Sequence, residues 1–245
     1  MIITPSANGW SYDDSIGKWK LVYEEKNIIS LLEHLEQHSS KNNNFELLIV
    51  DGGSTDGSVS KIENYIKNHH HIALISSERG RAKQMNRGRL QANGAILYFL
   101  HADSYPPKNF DQYLIDEVKK GNLAGCFKMK FDSSHWGLKI AGWLTQFNWR
   151  SCRGGDQSLF IEKNLFKQIG GYDERFLVYE DNDLIYKLYK HSNFKVIQHW
   201  IKSSPRRFET NGVWKLQLHF SIIHLKKYFG ATPENLERYY LKHIK

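Results

Sequence analysis

An α/β fold built on a mostly parallel sheet flanked by helices is what this sequence predicts, on three observations. Short apolar runs alternate with segments whose apolar residues recur at helical spacing, the pattern of strands joined by crossover helices. Two of those runs, Phe45–Val50 and Ile96–Leu100, stop abruptly in residues that carry chemistry: Asp51-Gly52-Gly53 after the first, His101, Asp103 and Ser104 after the second. Continuous apolar runs of this length suit strands buried on both faces, and ligands of open α/β sheets sit just beyond the carboxyl ends of such strands.

In chain order, residues 1–18 hold Gly, Ser, Asp and Pro without a period and predict a tail or distorted start, and Trp19–Tyr23 predicts a short strand. Ile28, Leu31, Leu32 and Leu35 form one apolar helix face. After the Phe45–Val50 strand, Asp56 is placed to cap a helix carrying Val59, Ile62 and Ile66. Ile72–Ser76 predicts the next strand and Lys83–Gln91 a helix leading into Ile96–Leu100. Phe110 to Val118 predicts a helix stopped by Gly121, and Leu123–Phe131 a strand. Residues 132–150, rich in Trp and basic groups, show no period. Gln157–Ile161 predicts a strand, then a short helix closed by Gly170-Gly171, a helix beginning near Asp181, and a last strand at Phe194–Trp200. Val213 to Phe229 predicts a C-terminal helix ended by Gly230 and Pro233. No repeat, linker or low-complexity tract interrupts this order.

Composition bounds the function. Of 245 residues, 40% are hydrophobic and 24% charged, ordinary for a folded domain. The formal charge of +8 suits an anionic partner (nucleotide, nucleic acid or lipid surface) without choosing among them. Two cysteines in no Cys-x-x-Cys pattern suit a reducing compartment, and no segment has the length and apolarity of a membrane span. A cytoplasmic protein, soluble or peripheral at the inner face of a membrane, is the expectation.

Three constellations carry chemistry. The Asp51–Gly57 turn closes a strand and opens a helix, so its amides and Asp51 face the ligand crevice. It is neither a Walker loop nor a dinucleotide fingerprint, and it serves equally as a plain Gly-rich turn. Arg79 to Arg89 holds five cations within eleven residues and suits a diphosphate clamp, or else a solvated basic helix face. Asp103 at a strand end and Glu180-Asp181 at a helix start divide labour naturally. One side holds a divalent cation against a diphosphate leaving group, and the other takes a proton from a nucleophile. The favourable helix dipole alone also accounts for two acids in a first turn.

In order and spacing, Glu24-Glu25-Lys26-Asn27-Ile28, VDGGSTDGS (50–58), RGRAKQMNRG (79–88), ILYFLHADS (96–104), GGDQSLF (154–160), GGYDERF (170–176) and YEDNDLIYKL (179–188) resemble the family-2 nucleotide-sugar glycosyltransferases of GT-A fold. The likeness runs from about residue 24 to 208. With SSPRRFE (203–209), it is nearest to a small bacterial arsenosugar-biosynthesis-type subgroup. The resemblance implies a Rossmann-like GT-A domain over residues 21–208, an atypical segment at 1–20 and a helical appendage at 209–245. It implies an inverting transferase that moves a sugar from a nucleoside diphosphate, UDP type foremost, to a hydroxyl with Mg²⁺ or Mn²⁺. Asp181, in the Glu180-Asp181 motif, would be the general base. Asp51, Arg81 and Lys83 would meet the nucleotide, Asp156 and Gln157 the donor sugar or acceptor, and Arg206 or Arg207 the diphosphate. Asp103 would be the metal ligand. Three positions depart from the family: Gly52 and His101 stand where acids are usual, and Lys18–Tyr23 lacks the Pro and Asn of the family's opening strand. These departures keep in view a nucleotide-sugar-binding protein with weak or lost catalysis, and the basic charge alone adds a nucleic-acid-binding protein as a further alternative.

Overall fold

The computed structural model describes residues 1–4, 10–13, 18–21, 25–55 and 57–244. Its main sheet has eight strands in the order β5-β4-β1-β6-β9-β8-β10-β7. These are β1 Ile2–Thr4, β4 Leu47–Asp51, β5 Ile72–Ser76, β6 Ile96–His101, β7 Ser104–Tyr105, β8 Ala124–Phe131, β9 Leu159–Glu162 and β10 Phe194–Ser203. A separate antiparallel pair joins β2 (Trp10–Asp13) to β3 (Lys18–Leu21). Helices α1 Glu25–His38, α2 Ser58–Ile66, α3 Arg81–Gln91, α4 Phe110–Lys119, α5 Trp136–Leu144, α6 Lys163–Gln168 and α7 Glu180–His191 accompany the sheet. Three more, α8 Arg206–Asn211, α9 Val213–Tyr228 and α10 Pro233–His243, follow it.

Alternation along the strands divides the core in two, because successive side chains of a strand point to opposite faces. Ile2, Val50 and Phe99 pack on one face with Met85 of α3 and Leu184 and Leu188 of α7. Ile3, Ile49 and Leu100 pack on the other with Leu31, Leu35 and Ile62 of α1 and α2. A third cluster, including Leu138, Phe176, Phe208, Leu216, Ile223 and Leu236, fastens the C-terminal helices to the body.

Three of the expectations change. The strand that opens the sheet is Ile2–Thr4, hydrogen-bonded in parallel between β4 and β6, so these residues belong to the centre of the sheet rather than to a tail or an atypical segment. Of the segment expected to be the first strand, Trp19–Tyr23, residues 19–21 lie in β3, which among the described residues pairs with β2 and stands outside the main sheet, while residues 22 and 23 lie outside the described residues. The sheet is mostly parallel as expected, with β9 antiparallel to both β6 and β8 and β7 antiparallel to β10. The three apolar residues Leu159, Phe160 and Ile161 carry no signal for strand direction. Finally, Pro233 begins α10 rather than only ending α9. Its missing N–H is harmless in a first turn, and the Thr232 side chain accepts from the Asn235 amide. The expected cap Asp56 lies outside the described residues, and α2 starts after Gly57 at φ 87°. The last strand is longer than its apolar run because a bulge between Ile197 and Trp200 resets its register on β8.

The central position of β1 depends on Gly88 in α3. A Cβ at residue 88 would lie 2.5 Å from Ile2 Cγ2 and 3.0 Å from Val50 Cγ2. Gly88→Ala is therefore expected to destabilise the protein by about 1–2 kcal/mol. Overpacking of about 1–3 kcal/mol outweighs the helix preference of roughly 1 kcal/mol for Ala. Combining it with Ile2→Ala should cost less than the sum of the two single changes in urea unfolding; simple additivity would show that α3 does not rest on β1.

Candidate functional site

The polar ends of β4 and β6, the starts of α3 and α7 and the turn at Gly155–Gln157 gather one cluster of charge. Glu180 and Asp181 open α7 at its positive dipole end. Tyr179, just before them, has left-handed backbone (φ 77°), so the chain turns sharply into the helix where the carboxylates stand. Glu180 is fully buried and Asp181 is 6% exposed. Burial of this kind requires a counter-charge. Arg81, the first residue of α3, supplies it, ion-paired to Glu180 and 3.3 Å from Asp181 Oδ2. Burial pulls the Arg81 guanidinium down, but Glu180, Asp181 and Asp156 outweigh it and hold it above its ordinary value. Burial raises Glu180 above the usual carboxylate range despite Arg81.

His101, 2% exposed at the end of β6, stands between two acids. Its Nδ1 is 3.3 Å from Asp156 Oδ1 and its Nε2 is 3.8 Å from Asp181 Oδ2, ion-pair distances without hydrogen-bond alignment. Burial lowers the imidazole, yet contact with Asp156 and the charge of Asp181 leave it raised. Asp156 in turn is held down at about 2; burial opposes this, but His101, Arg207 and Arg81 prevail. Gly155 makes the approach possible. A Cβ there would overlap Asp181 Oδ2 and lie 2.7 Å from His101 Cε1.

Asp181 and Asp156, but not Glu180, are among the residues lining an open cleft of about 1720 Å³. Arg79, Arg81 and Arg207 also line it, and Tyr186, Phe220 and Leu225 from α7 and α9 give it apolar walls. Asp51 and Asp103 are not among its described lining residues, so they mark a separate end of the site. Asp51 closes β4 and turns its carboxylate onto its own loop, accepting from the amides of Gly53 (2.8 Å) and Ser54 (3.0 Å) and from the Ser54 hydroxyl. Gly52 leaves space for Gln84, which donates to the Val50 carbonyl at 2.7 Å. Asp103 follows β6 in a turn tied to β10, its carbonyl accepting from the Ser204 amide. Burial and the charge of Asp156 raise its carboxyl, while His101 and Arg206 oppose them. Arg206 and Arg207 thus act on different acids, Arg206 on Asp103 and Arg207 on Asp156.

Two expected site residues are engaged elsewhere. Lys83 pairs with Glu78 at the surface and is not among the described cleft-lining residues. Gln157 does border the cleft, but its amide is committed to the framework. It accepts from Arg153 at 2.7 Å and donates to the Cys152 carbonyl at 2.6 Å. Arg153, absent from the sequence-based candidates, is the keystone of this loop. Buried to 4% exposure, it also donates to the carbonyls of Thr145 (2.5 Å) and Phe147 (2.7 Å), fixing the turn that carries Asp156. The only sequence signal for it is a cation directly before Gly154-Gly155-Asp156.

Among the described residues no cluster of three or more His, Cys, Asp or Glu forms a protein-built metal cage, and no helix is long and apolar enough to cross a membrane. The donor set fits a different kind of cation site. A hard divalent ion that takes most of its oxygens from a diphosphate and water needs one or two carboxylates, and Asp103 offers one whose carboxyl is raised by burial and the neighbouring Asp156.

Residues 22–172 match the family model described as glycosyl transferase family 2. A PGL/p-HBAD biosynthesis glycosyltransferase of Mycobacterium tuberculosis is 31% identical over 146 residues, 57% of this chain and 56% of that protein. A dolichyl N-acetyl-alpha-D-glucosaminyl phosphate 3-beta-D-2,3-diacetamido-2,3-dideoxy-beta-D-glucuronosyltransferase of Methanococcus voltae is 33% identical over 90 residues, 36% of this chain and 28% of that protein. The chain thus spans about half the length, or less, of these curated relatives. Among solved structures, S. aureus TarS 1–349 in complex with UDP-GlcNAc superposes with a TM-score of 0.61 at 19% identity, covering 83% of this chain and 57% of that one. A mannosyltransferase of Pyrobaculum calidifontis in complex with GDP-Man and Mn²⁺ gives 0.67 at 16% identity, covering 98% and 68%. The fold is the GT-A fold of these enzymes, and with more than half its length matching the family model, the chain belongs to glycosyl transferase family 2.

Proposed function

We propose that the protein transfers a sugar from a nucleoside-diphosphate-sugar, UDP type foremost, to a hydroxyl acceptor with inversion at the sugar carbon. One observation carries this reading. Of the two acids that open α7, Glu180 is sealed behind Arg81 while Asp181 borders the cleft, fixed by Arg81 and crowded by His101 and Gly155. A carboxylate that borders a cleft beside a guanidinium is placed to take a proton from a hydroxyl within it.

In this reading the acceptor oxygen bonds to the anomeric carbon as that carbon's bond to the diphosphate breaks. The acceptor proton passes to Asp181, and the bonding electron pair leaves with the nucleoside diphosphate. Glu180 supports Arg81 rather than touching substrate. Asp51 and the Gly53 and Ser54 loop receive the nucleoside end, and Arg206 and Arg207 meet the diphosphate. Asp103 would hold a Mg²⁺ or Mn²⁺ ion, which would supply neutralisation of the leaving group's charge. Solved relatives of the same fold are described with UDP-GlcNAc, GDP-Man and Mn²⁺, which supports the donor class without choosing the base or the sugar. Both cysteines are free, which suits a cytoplasmic setting.

Four outcomes test the assignment. A panel of nucleoside diphosphates with Mn²⁺ should raise the melting temperature by roughly 5–10 °C at a hundredfold excess over Kd, since a ligand that binds only the folded state stabilises it by mass action. Asp103→Asn should remove the metal-dependent part of that shift, and no shift with any pair would refute the donor reading. Asp181→Asn should keep the shift and lower transfer by about 10²–10⁴-fold; normal turnover in that variant would move the base elsewhere. Gly155→Ala should likewise bind nucleotide yet lose transfer, because its Cβ displaces the Asp181 carboxylate. Wild-type kcat in Gly155→Ala would show that the position of that carboxylate does not matter.

A further inference from the structure

Two helices outside the charge cluster present apolar faces to solvent. On α5, Trp136, Ile140 and Trp143 recur at i, i+4 and i+7, each half exposed or more. On α9, Trp214, Leu218, Leu225 and Tyr228 recur at i, i+4, i+11 and i+14, each more than half exposed. That spacing keeps them within one narrow stripe of a helix with 3.6 residues per turn. The opposite side of α9 is already occupied, with Leu216 and Ile223 buried in the C-terminal core. The two stripes are continuous, because the Trp136 and Trp214 rings meet with centroids 5.0 Å apart.

The charges around these stripes have one sign. Neither α5 nor α9 contains an acid, although the chain has 26, while Lys139 and Lys215 lie on them beside the stripes; Lys226 and Lys227 lean instead over the Tyr239 and Phe176 rings. Exposed tryptophans set among lysines, with no carboxylates, match the chemistry of a bilayer interface. There the indole rings lie at headgroup depth and ammonium groups meet lipid phosphates. A second copy of the chain is a poorer occupant. A two-fold contact through this face would bring its own lysines toward each other. We propose that the joined outer faces of α5 and α9 seat the protein on an anionic lipid surface. Leu225 and Tyr228 also line the cleft, so a protein seated this way presents the cleft mouth to the headgroups. This binding does not depend on transfer activity, so its failure and that of the proposed function are separable.

The test is co-sedimentation of the full chain with phosphatidylcholine vesicles, with and without phosphatidylglycerol. The wild type should sediment with the phosphatidylglycerol vesicles, weakly with phosphatidylcholine alone, and less as salt rises. Ile140→Glu combined with Leu218→Glu should abolish sedimentation while leaving the melting temperature and the nucleotide-induced shift unchanged. Lys139→Gln with Lys215→Gln, which spares the apolar stripes, should weaken it roughly fivefold for each cation removed. The proposal fails if the wild type ignores phosphatidylglycerol vesicles, or if a folded glutamate variant binds them as well as the wild type. It fails equally if the protein is instead a dimer in sedimentation velocity that the glutamate pair dissociates. Should the glutamate pair unfold the protein, the lysine pair decides, and unchanged vesicle binding by it overturns the proposal.

Discussion

The site depends on one electrostatic constraint: two adjacent carboxylates, Glu180 and Asp181, are buried at the start of α7 and must be neutralised there. Dipole charge at a helix N-terminus offsets part of that cost, but it falls off within the first turn and does not compensate two desolvated acids. Arg81 does most of the rest, and it does so because α3 begins where it does, next to the end of β4. The packing of α3 is therefore an electrostatic matter as well as a hydrophobic one. Gly88 lets α3 settle on Ile2 and Val50, and that fit delivers Arg81 to the acids at the start of α7.

A second framework holds the opposite wall. Arg153 spends its donors on carbonyls and on Gln157, so the loop between α5 and β9 is braced from inside by a buried cation. The result is a turn rigid enough to bring Gly155 against Asp181 and to set Asp156 beside His101. Catalytic geometry that must hold to fractions of an ångström calls for this kind of support beneath the residues that touch substrate.

Much of this was legible in the sequence where the physics is local. Buried strands announce themselves as apolar runs, and the chemistry-bearing residues sit where those runs stop, so Asp51, His101 and Asp103 could be placed from the sequence alone. The acids of α7 were legible because a first-turn Glu-Asp pair is conspicuous. What escaped is non-local. Ile2–Thr4 offers two apolar residues before Thr, too short for any period, and only its pairing with β4 and β6 identifies it as central. Arg153 and Gln157 look like ordinary polar loop residues until the fold closes around them. Lys83, one of five cations in its run, is separated from the site only by the direction in which its helix faces.

His101 is where the sequence looked weakest and the structure supplies a reason. The family's usual acid at this position would stand against Asp156 and Asp181, adding a negative charge to a pocket that already holds the carboxylates of Asp156, Glu180 and Asp181, which Arg81 and Arg207 offset. An imidazole with both ring nitrogens turned toward those carboxylates reverses the sign of that interaction. It also leaves Asp103 as the single carboxylate of its turn, on the side of Arg206, while Asp156 is drawn to His101 and Arg207. The acids thus fall into two groups, Asp103 on the side of Arg206 and the carboxylates of Asp156, Glu180 and Asp181 held by His101 and Arg81.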